Sequence, residues 1–246
     1  MRGALDQGCG CFPTGGPWPG LVSDSSAAIA GLIAGLDPRG EWGSMALAAV
    51  DVETTGLDAN ADRVVELGIV LIDGGEISGR RSWLLNPGTQ VPKEALAVHG
   101  LTDADLAGAP RFAEILPEVR ATLEGRLPVA YNAPFDRGFL AAEILRLGEE
   151  LPGTFRETTE WIDPLVWARA RLPRDGSFKL SELTKRLGIE LTNAHRALAD
   201  AEAAARVLLR LQPELPPSYI RLVRAQRDLA ASQSSDQASW RYGSRK

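Results

Sequence analysis

Ala46-Leu47-Ala48-Ala49-Val50-Asp51-Val52-Glu53-Thr54-Thr55-Gly56 is the stretch that decides the fold. It is apolar until Val50, then places two acids two residues apart and stops at a turn-forming Thr55-Gly56, which reads as a strand over 46–53. Residues two apart on a strand leave the same face, so Asp51 and Glu53 stand side by side at its carboxyl end. Acids embedded among alanine, valine and leucine are costly to bury unless neutralised, and the usual partner of clustered hard oxygen ligands is a divalent cation.

Working outward, a second strand runs over 63–72, Asp73-Gly74-Gly75-Glu76 is a hairpin signal, and a third strand over 77–85 ends at Asn86-Pro87-Gly88. Helical periodicity follows over 112–123. A strand over 127–131 then feeds straight into a helix over 134–147. Trp161-Ile162-Asp163 reads as a fifth strand, with helices after it over 164–171, 180–187 and 194–211. Strands joined by hairpins and then alternating with helices make an α/β fold, a mixed five-stranded sheet flanked by helices.

With 246 residues, 44% hydrophobic and 24% charged, the chain can bury a full core as one domain over 45–212. Residues 1–44 are rich in Gly, Pro and Ser and read as a flexible leader, with one helical possibility near 26–36. Cys9 and Cys11 are its only thiols, too close for an ordinary disulfide framework and too few for a zinc site. Residues 213–246 read as a basic tail in which Tyr219 to Leu229 has apolar residues at helical spacing, before a stretch of Ser, Gln and basic residues. Its expected roles are docking on the domain or gripping a partner or nucleic acid. No secretory signal and no apolar run of membrane-spanning length occur, so a cytoplasmic location with no membrane partner is expected. The charge is uneven: 18 basic and 25 acidic residues over 45–209, against seven basic and three acidic over 210–246. An acidic central domain argues against long electrostatic tracking along a duplex, which needs many phosphate contacts from Lys and Arg.

Two further acids complete the constellation. Asp136 opens a helix immediately after a strand, where ligands bind in open α/β sheets, and Asp200 sits in a helix among Ala197, Ala199, Ala201, Ala203 and Ala204, small enough for close approach to the sheet. Four neighbouring acids could not all stay ionised without cations, and two divalent ions match their charge. His195 is five residues before Asp200, roughly 140° away around a regular helix, so it belongs to the loop or cap before that helix. From there an imidazole, which changes charge near neutral pH, can act as a general base.

At these residues the chain resembles the DEDDh exonucleases, the group that includes the proofreading epsilon subunit of bacterial replicative DNA polymerase and RNase T. The resemblance spans about 46–211 and rests on five ordered blocks. They are Asp51-Val52-Glu53-Thr54-Thr55-Gly56-Leu57, Val98-His99-Gly100-Leu101-Thr102, Tyr131-Asn132-Ala133-Pro134-Phe135-Asp136, Phe178-Lys179-Leu180 with Leu187-Gly188-Ile189, and Ala194-His195-Arg196-Ala197-Leu198-Ala199-Asp200-Ala201. It implies a ribonuclease-H-like fold and removal of nucleotides one at a time from a 3′ end. By the same resemblance, Asp51, Glu53, Asp136 and Asp200 hold two Mg²⁺ or Mn²⁺ ions and His195 activates the attacking water. The backbone at Thr54 and Thr55 binds the terminal nucleotide, while Leu57 and Phe135 pack on the last bases. His99, Tyr131 and Asn132 are substrate-side candidates; at the position of Tyr131 several relatives carry a histidine.

The substrate implied is a single-stranded or frayed 3′ end of DNA, in proofreading or repair, with a DNA polymerase subunit as a candidate partner. RNA trimming uses the same chemistry, and no motif here reads the 2′ hydroxyl that would separate the two. A non-catalytic nucleic-acid-binding scaffold on the same fold would have lost metal ligands or the histidine. All five are present.

Overall fold

The computed structural model describes residues 37, 39–155, 159–190 and 195–243, the last nine of these by backbone alone. Four strands form its sheet: β1 (Leu47–Thr54), β2 (Val64–Asp73), β3 (Glu76–Leu84) and β4 (Leu127–Val129). Their order is β3-β2-β1-β4, with β1 antiparallel to β2, β2 antiparallel to β3 and β1 parallel to β4. The helices are α1 (Lys93–His99), α2 (Asp103–Leu106), α3 (Phe112–Leu123), α4 (Ala133–Arg146), α5 (Pro164–Arg171), α6 (Leu180–Arg186), α7 (Ala197–Leu211) and α8 (Tyr219–Gly243).

Alternation along β1 sorts its residues between two cores. Leu47 and Ala49 face α5, α7 and α8, packing with Trp167, Ala201, Ala205, Leu208 and Leu222. Ala48, Val50 and Val52 face α3 and α4, packing with Ile115, Leu116, Val119, Phe139 and Leu140. The same period puts Asp51 and Glu53 on the α7 side.

The expected fifth strand is a correction. Among the described residues the sheet has four strands, and the Trp161–Asp163 segment makes a single parallel bridge, Ile162 to Val129. The chain leaves the sheet there because Asp163 caps α5, its carboxylate accepting from Leu165 N at 2.9 Å, and Pro164 follows at the start of that helix. Two short helices, α1 and α2, add to those expected from periodicity. A sequence signal for α2 exists in Thr102-x-x-Asp105, which forms a capping box.

Described segments on both sides of the expected domain join the core. The expected leader extended to residue 44; residues 1–36, with both cysteines and the helical possibility near 26–36, lie outside the described residues. Trp42, however, is 1% exposed, and its indole donates to the Pro216 carbonyl at 2.7 Å. Helix α8 continues beyond Leu229 to Gly243, since no Gly or Pro interrupts it before then. Tyr219, Leu222 and Val223 on its first two turns are buried in the α7-side core.

Candidate active site

Three carboxylates converge at the carboxyl end of β1. Oxygens of Asp51, Glu53 and Asp200 lie within 4.8 Å of one another. Asp200 belongs to the first turn of α7, and what lets that turn reach β1 is a glycine. Gly68 on β2 pairs with Asp51, and a Cβ placed on it would lie 2.3 Å from Leu198 N and 2.4 Å from the Ala197 carbonyl carbon. With no side chain at 68, and with Ala197, Ala201, Ala204 and Ala205 beneath, α7 rests directly on the sheet.

Asp136 arrives from the other face. It lies in the first turn of α4, 2% exposed, and its Oδ1 accepts from Val52 N at 3.0 Å. Asp136 is not among the three carboxylates that meet within 4.8 Å, yet it acts on them: after burial itself, Asp136 is the largest influence raising the Asp51 pKa. Burial also raises the carboxyls of Asp136 and Asp200, and pushes Glu53 up to about 7 with Asp200 and Glu66 adding repulsion.

His195 lies two residues before α7, off the helix, exposed, with φ +65. Its backbone N–H donates to Asp200 Oδ2 at 3.3 Å, which fixes the histidine's backbone to the cluster and leaves the imidazole toward solvent. The four residues before it, 191–194, lie outside the described ones.

The substrate-side candidates divide. Leu57 is 87% exposed at the loop after β1, and Phe135 is half-buried with its ring 4.8 Å from that of Phe139. Thr54 and Thr55 are buried, and their hydroxyls are used inside the loop: Thr54 Oγ1 donates to the Gly56 carbonyl, and Thr55 Oγ1 accepts from Arg63 N. The Tyr131 hydroxyl donates to the Phe178 carbonyl at 2.6 Å, tying the turn before α4 to the α5–α6 connection. His99 closes α1 and is buried; its Nδ1 accepts from Leu101 N at 3.1 Å, and burial lowers its pKa. Asn132 has φ +71 and precedes α4, with its N–H donating to Asp163.

Sequence reasoning passed over Glu66 and Arg196. Glu66 pairs with Glu53 across β1 and β2, is 1% exposed, and accepts from Arg196 Nη2 at 2.8 Å, Arg196 Nε and Ala197 N. A carboxylate buried beside three others is tolerated because this guanidinium meets it in two-pronged geometry. The pair also fixes the start of α7, and Arg196 partly offsets the repulsion on Glu53. A Glu on an apolar strand opposite Glu53 was the available signal.

The donor set is hard oxygen, with a direct ion pair at Glu66 and only partial offsets at Glu53 and Asp200, and it is crowded enough to hold protons above the usual carboxylate range. A divalent cation fits such a set, and Asp51, Glu53 and Asp200 would hold it, with Asp136 beside them.

A mixed sheet carrying carboxylates from its central strand and from a helix laid across it, with a histidine at the rim, is a ribonuclease-H-like arrangement whose acids could hold a metal ion. Family comparison agrees: the exonuclease family model matches residues 48–208. The chain belongs to that exonuclease family. It is 38% identical over 165 residues to the DNA polymerase III PolC-type of Oceanobacillus iheyensis, covering 67% of this chain and 11% of that protein. The corresponding protein of Thermotoga maritima is 33% identical over 193 residues, 77% of this chain and 13% of that one. The chain thus spans about a tenth of the length of these relatives. Among solved structures, exonuclease X in complex with 5′ overhanging duplex DNA superposes with TM-score 0.59 at 26% identity, covering 73% of this chain and 99% of that one. Escherichia coli exonuclease I in complex with a dT13 oligonucleotide shares the fold, with TM-score 0.62 at 22% identity over 69% of this chain and 42% of that one. Among the described residues no helix is long and apolar enough to cross a membrane.

Proposed function

We propose that this chain is a 3′-to-5′ exonuclease that removes single nucleotides from single-stranded or frayed DNA ends, using two Mg²⁺ or Mn²⁺ ions held by Asp51, Glu53, Asp136 and Asp200. The observation that carries this reading is the convergence of Asp51, Glu53 and Asp200 oxygens within 4.8 Å, beside an exposed His195 anchored to Asp200. When bound, the ions lower the pKa of the nucleophilic water and stabilise charge on the phosphorus oxygens and the departing 3′ oxygen. The protein's own groups do the rest. His195 accepts the proton of the attacking water at a ring nitrogen open to solvent. Leu57 and Phe135 offer apolar surface to the terminal bases, and the Thr54–Thr55 backbone holds the terminal nucleotide. The acidic body of the domain limits its grip to a few terminal nucleotides.

The PolC-type relatives favour a role in proofreading or repair, alongside a DNA polymerase subunit and in the cytoplasm. The test is digestion of 5′-labelled DNA and RNA oligonucleotides of matched sequence, with Mg²⁺, Mn²⁺ or EDTA. A ladder shortening one nucleotide at a time from the 3′ end, faster on DNA and absent in EDTA, is the expected result. Cleavage that persists in excess EDTA, or starts internally, overturns the proposal; faster loss of RNA reassigns the substrate.

A further inference from the structure

The family match ends at residue 208, yet α8 enters the core next to the segment that fails to become a fifth strand. Tyr219, Leu222, Val223 and Gln226 occur at helical spacing on the face α8 turns inward, and Gln226 is 5% exposed. Its side-chain amide behaves as a neighbouring strand's peptide would. Nε2 donates to the Trp161 carbonyl at 2.8 Å, and Oε1 accepts from Asp163 N at 2.8 Å and from Trp167 Nε1 at 3.1 Å. The other edge of the segment is held by β4, through Ala130 N to the Ile162 carbonyl and Ile162 N to the Pro128 carbonyl.

Asp163, fixed in this way, holds the turn before α4. Its carboxylate accepts from Asn132 N at 3.0 Å and from Ala133 N at 3.1 Å, besides capping α5 through Leu165 N. Asn132 stands in the left-handed region at φ +71, which asparagine adopts more readily than other non-glycine residues, and there it shapes the turn into α4. Ala133 begins α4, and Asp136 lies one turn further, reaching Val52 on β1. A path of hydrogen bonds, completed by the first turn of α4, therefore runs from α8 through Asp163 to a carboxylate of the site.

We propose that Gln226 is a positioning residue for Asp136, and that α8 belongs to the catalytic unit although it lies beyond the family match. The inference rests on the reading of Asp136 as a metal-holding carboxylate. Replacing Gln226 by leucine keeps the apolar packing and removes all three bonds, which frees Asp163 to drift and loosens the Asn132 turn. Displacements on the scale of 1 Å at a catalytic group can cost roughly 10²-fold in rate.

The experiment uses the full chain and compares Gln226→Leu with Val223→Ala, a core truncation on the same face of α8 that leaves the amide in place. At a temperature where circular dichroism shows every variant folded, Mn²⁺ affinity is measured by titration calorimetry and turnover on a 5′-labelled DNA oligonucleotide in Mg²⁺. Gln226→Leu should bind Mn²⁺ about 10-fold more weakly and lower kcat by about 10- to 100-fold, with KM changed less than about 2-fold. Val223→Ala should match wild type in both. Asp163→Asn should show the Gln226→Leu defects, and combining the two should add little, as expected for residues in one network. Should Gln226→Leu fail to fold, Gln226→Asn withdraws the amide by one methylene while keeping it polar, and must show the same two losses. Wild-type Mn²⁺ affinity and kcat in the folded Gln226 variant, or equal losses in Val223→Ala, overturn the proposal. A wild-type chain without exonuclease activity would sink the proposed function instead, leaving the Mn²⁺ comparison to decide this one.

Discussion

Gly68→Ala tests how the site is assembled, because it adds one methyl group at the point where α7 touches the sheet. That methyl carbon would lie 2.3 Å from Leu198 N, 2.4 Å from the Ala197 carbonyl carbon and 2.5 Å from its oxygen, where ordinary contact begins near 3.4 Å. All three atoms are backbone in the first turn of α7, so no side chain can swing away; the turn itself must rise by about 1 Å. That turn carries Asp200 and follows His195, while Asp51 sits on β1 directly opposite residue 68. The variant should therefore lose about 10²-fold in kcat through misplacement of Asp200 and about 1–3 kcal/mol of stability through overpacking. Stopped-assay kinetics on a DNA oligonucleotide in Mg²⁺, with thermal unfolding in parallel, measure both. If Gly68→Ala retains wild-type kcat and melting temperature, α7 does not depend on the bare backbone at 68, and the account of how Asp200 reaches Asp51 fails.

Asp51→Asn or Asp200→Asn should abolish turnover, yet leave the metal-free melting temperature unchanged or higher, because one of several repelling carboxylates is gone; a variant with wild-type rate refutes the ligand assignment. His195→Ala should lower kcat by roughly 10² to 10⁴ with KM nearly constant, and a matched rise in KM with mild kcat loss would make it a binding residue. Glu53 supplies a pH dependence: its ordinary value is 4.5 and the fold pushes it up to about 7. In EDTA the folded protein keeps this proton where the unfolded chain has released it, so stability should fall as pH rises from about 4.5 to 7. The loss is about 2 kcal/mol after allowing for the carboxylate's partial exposure, and Asp51, Asp136 and Asp200 shift the same way. Thermal melts at pH 5 and pH 8, with EDTA and with Mg²⁺, check it; a metal-free melting temperature that is flat or rises across that range refutes it.

What the sequence determined alone is what neighbours within about four residues can encode. The two-residue period of β1 put Asp51 and Glu53 on one face, hairpin residues at 73–76 paired β2 with β3, and helical spacing delimited α3 and α5 at the residues the structure gives them. Five ordered blocks identified the family, and the interval between His195 and Asp200 placed the histidine off the helix. Tertiary packing decided the rest, because it joins residues far apart in the chain. Glu66 and Arg196 are 130 positions apart and Asp163 and Gln226 are 63 apart, so no local pattern announces either pair. Trp161–Asp163 has strand-like residues but gives its second edge to a glutamine side chain and its end to a helix cap. Gly68 shows the division most directly: as sequence it is a small residue in a strand, and only the register that sets it opposite Asp51 beneath α7 makes its missing side chain a condition for the site.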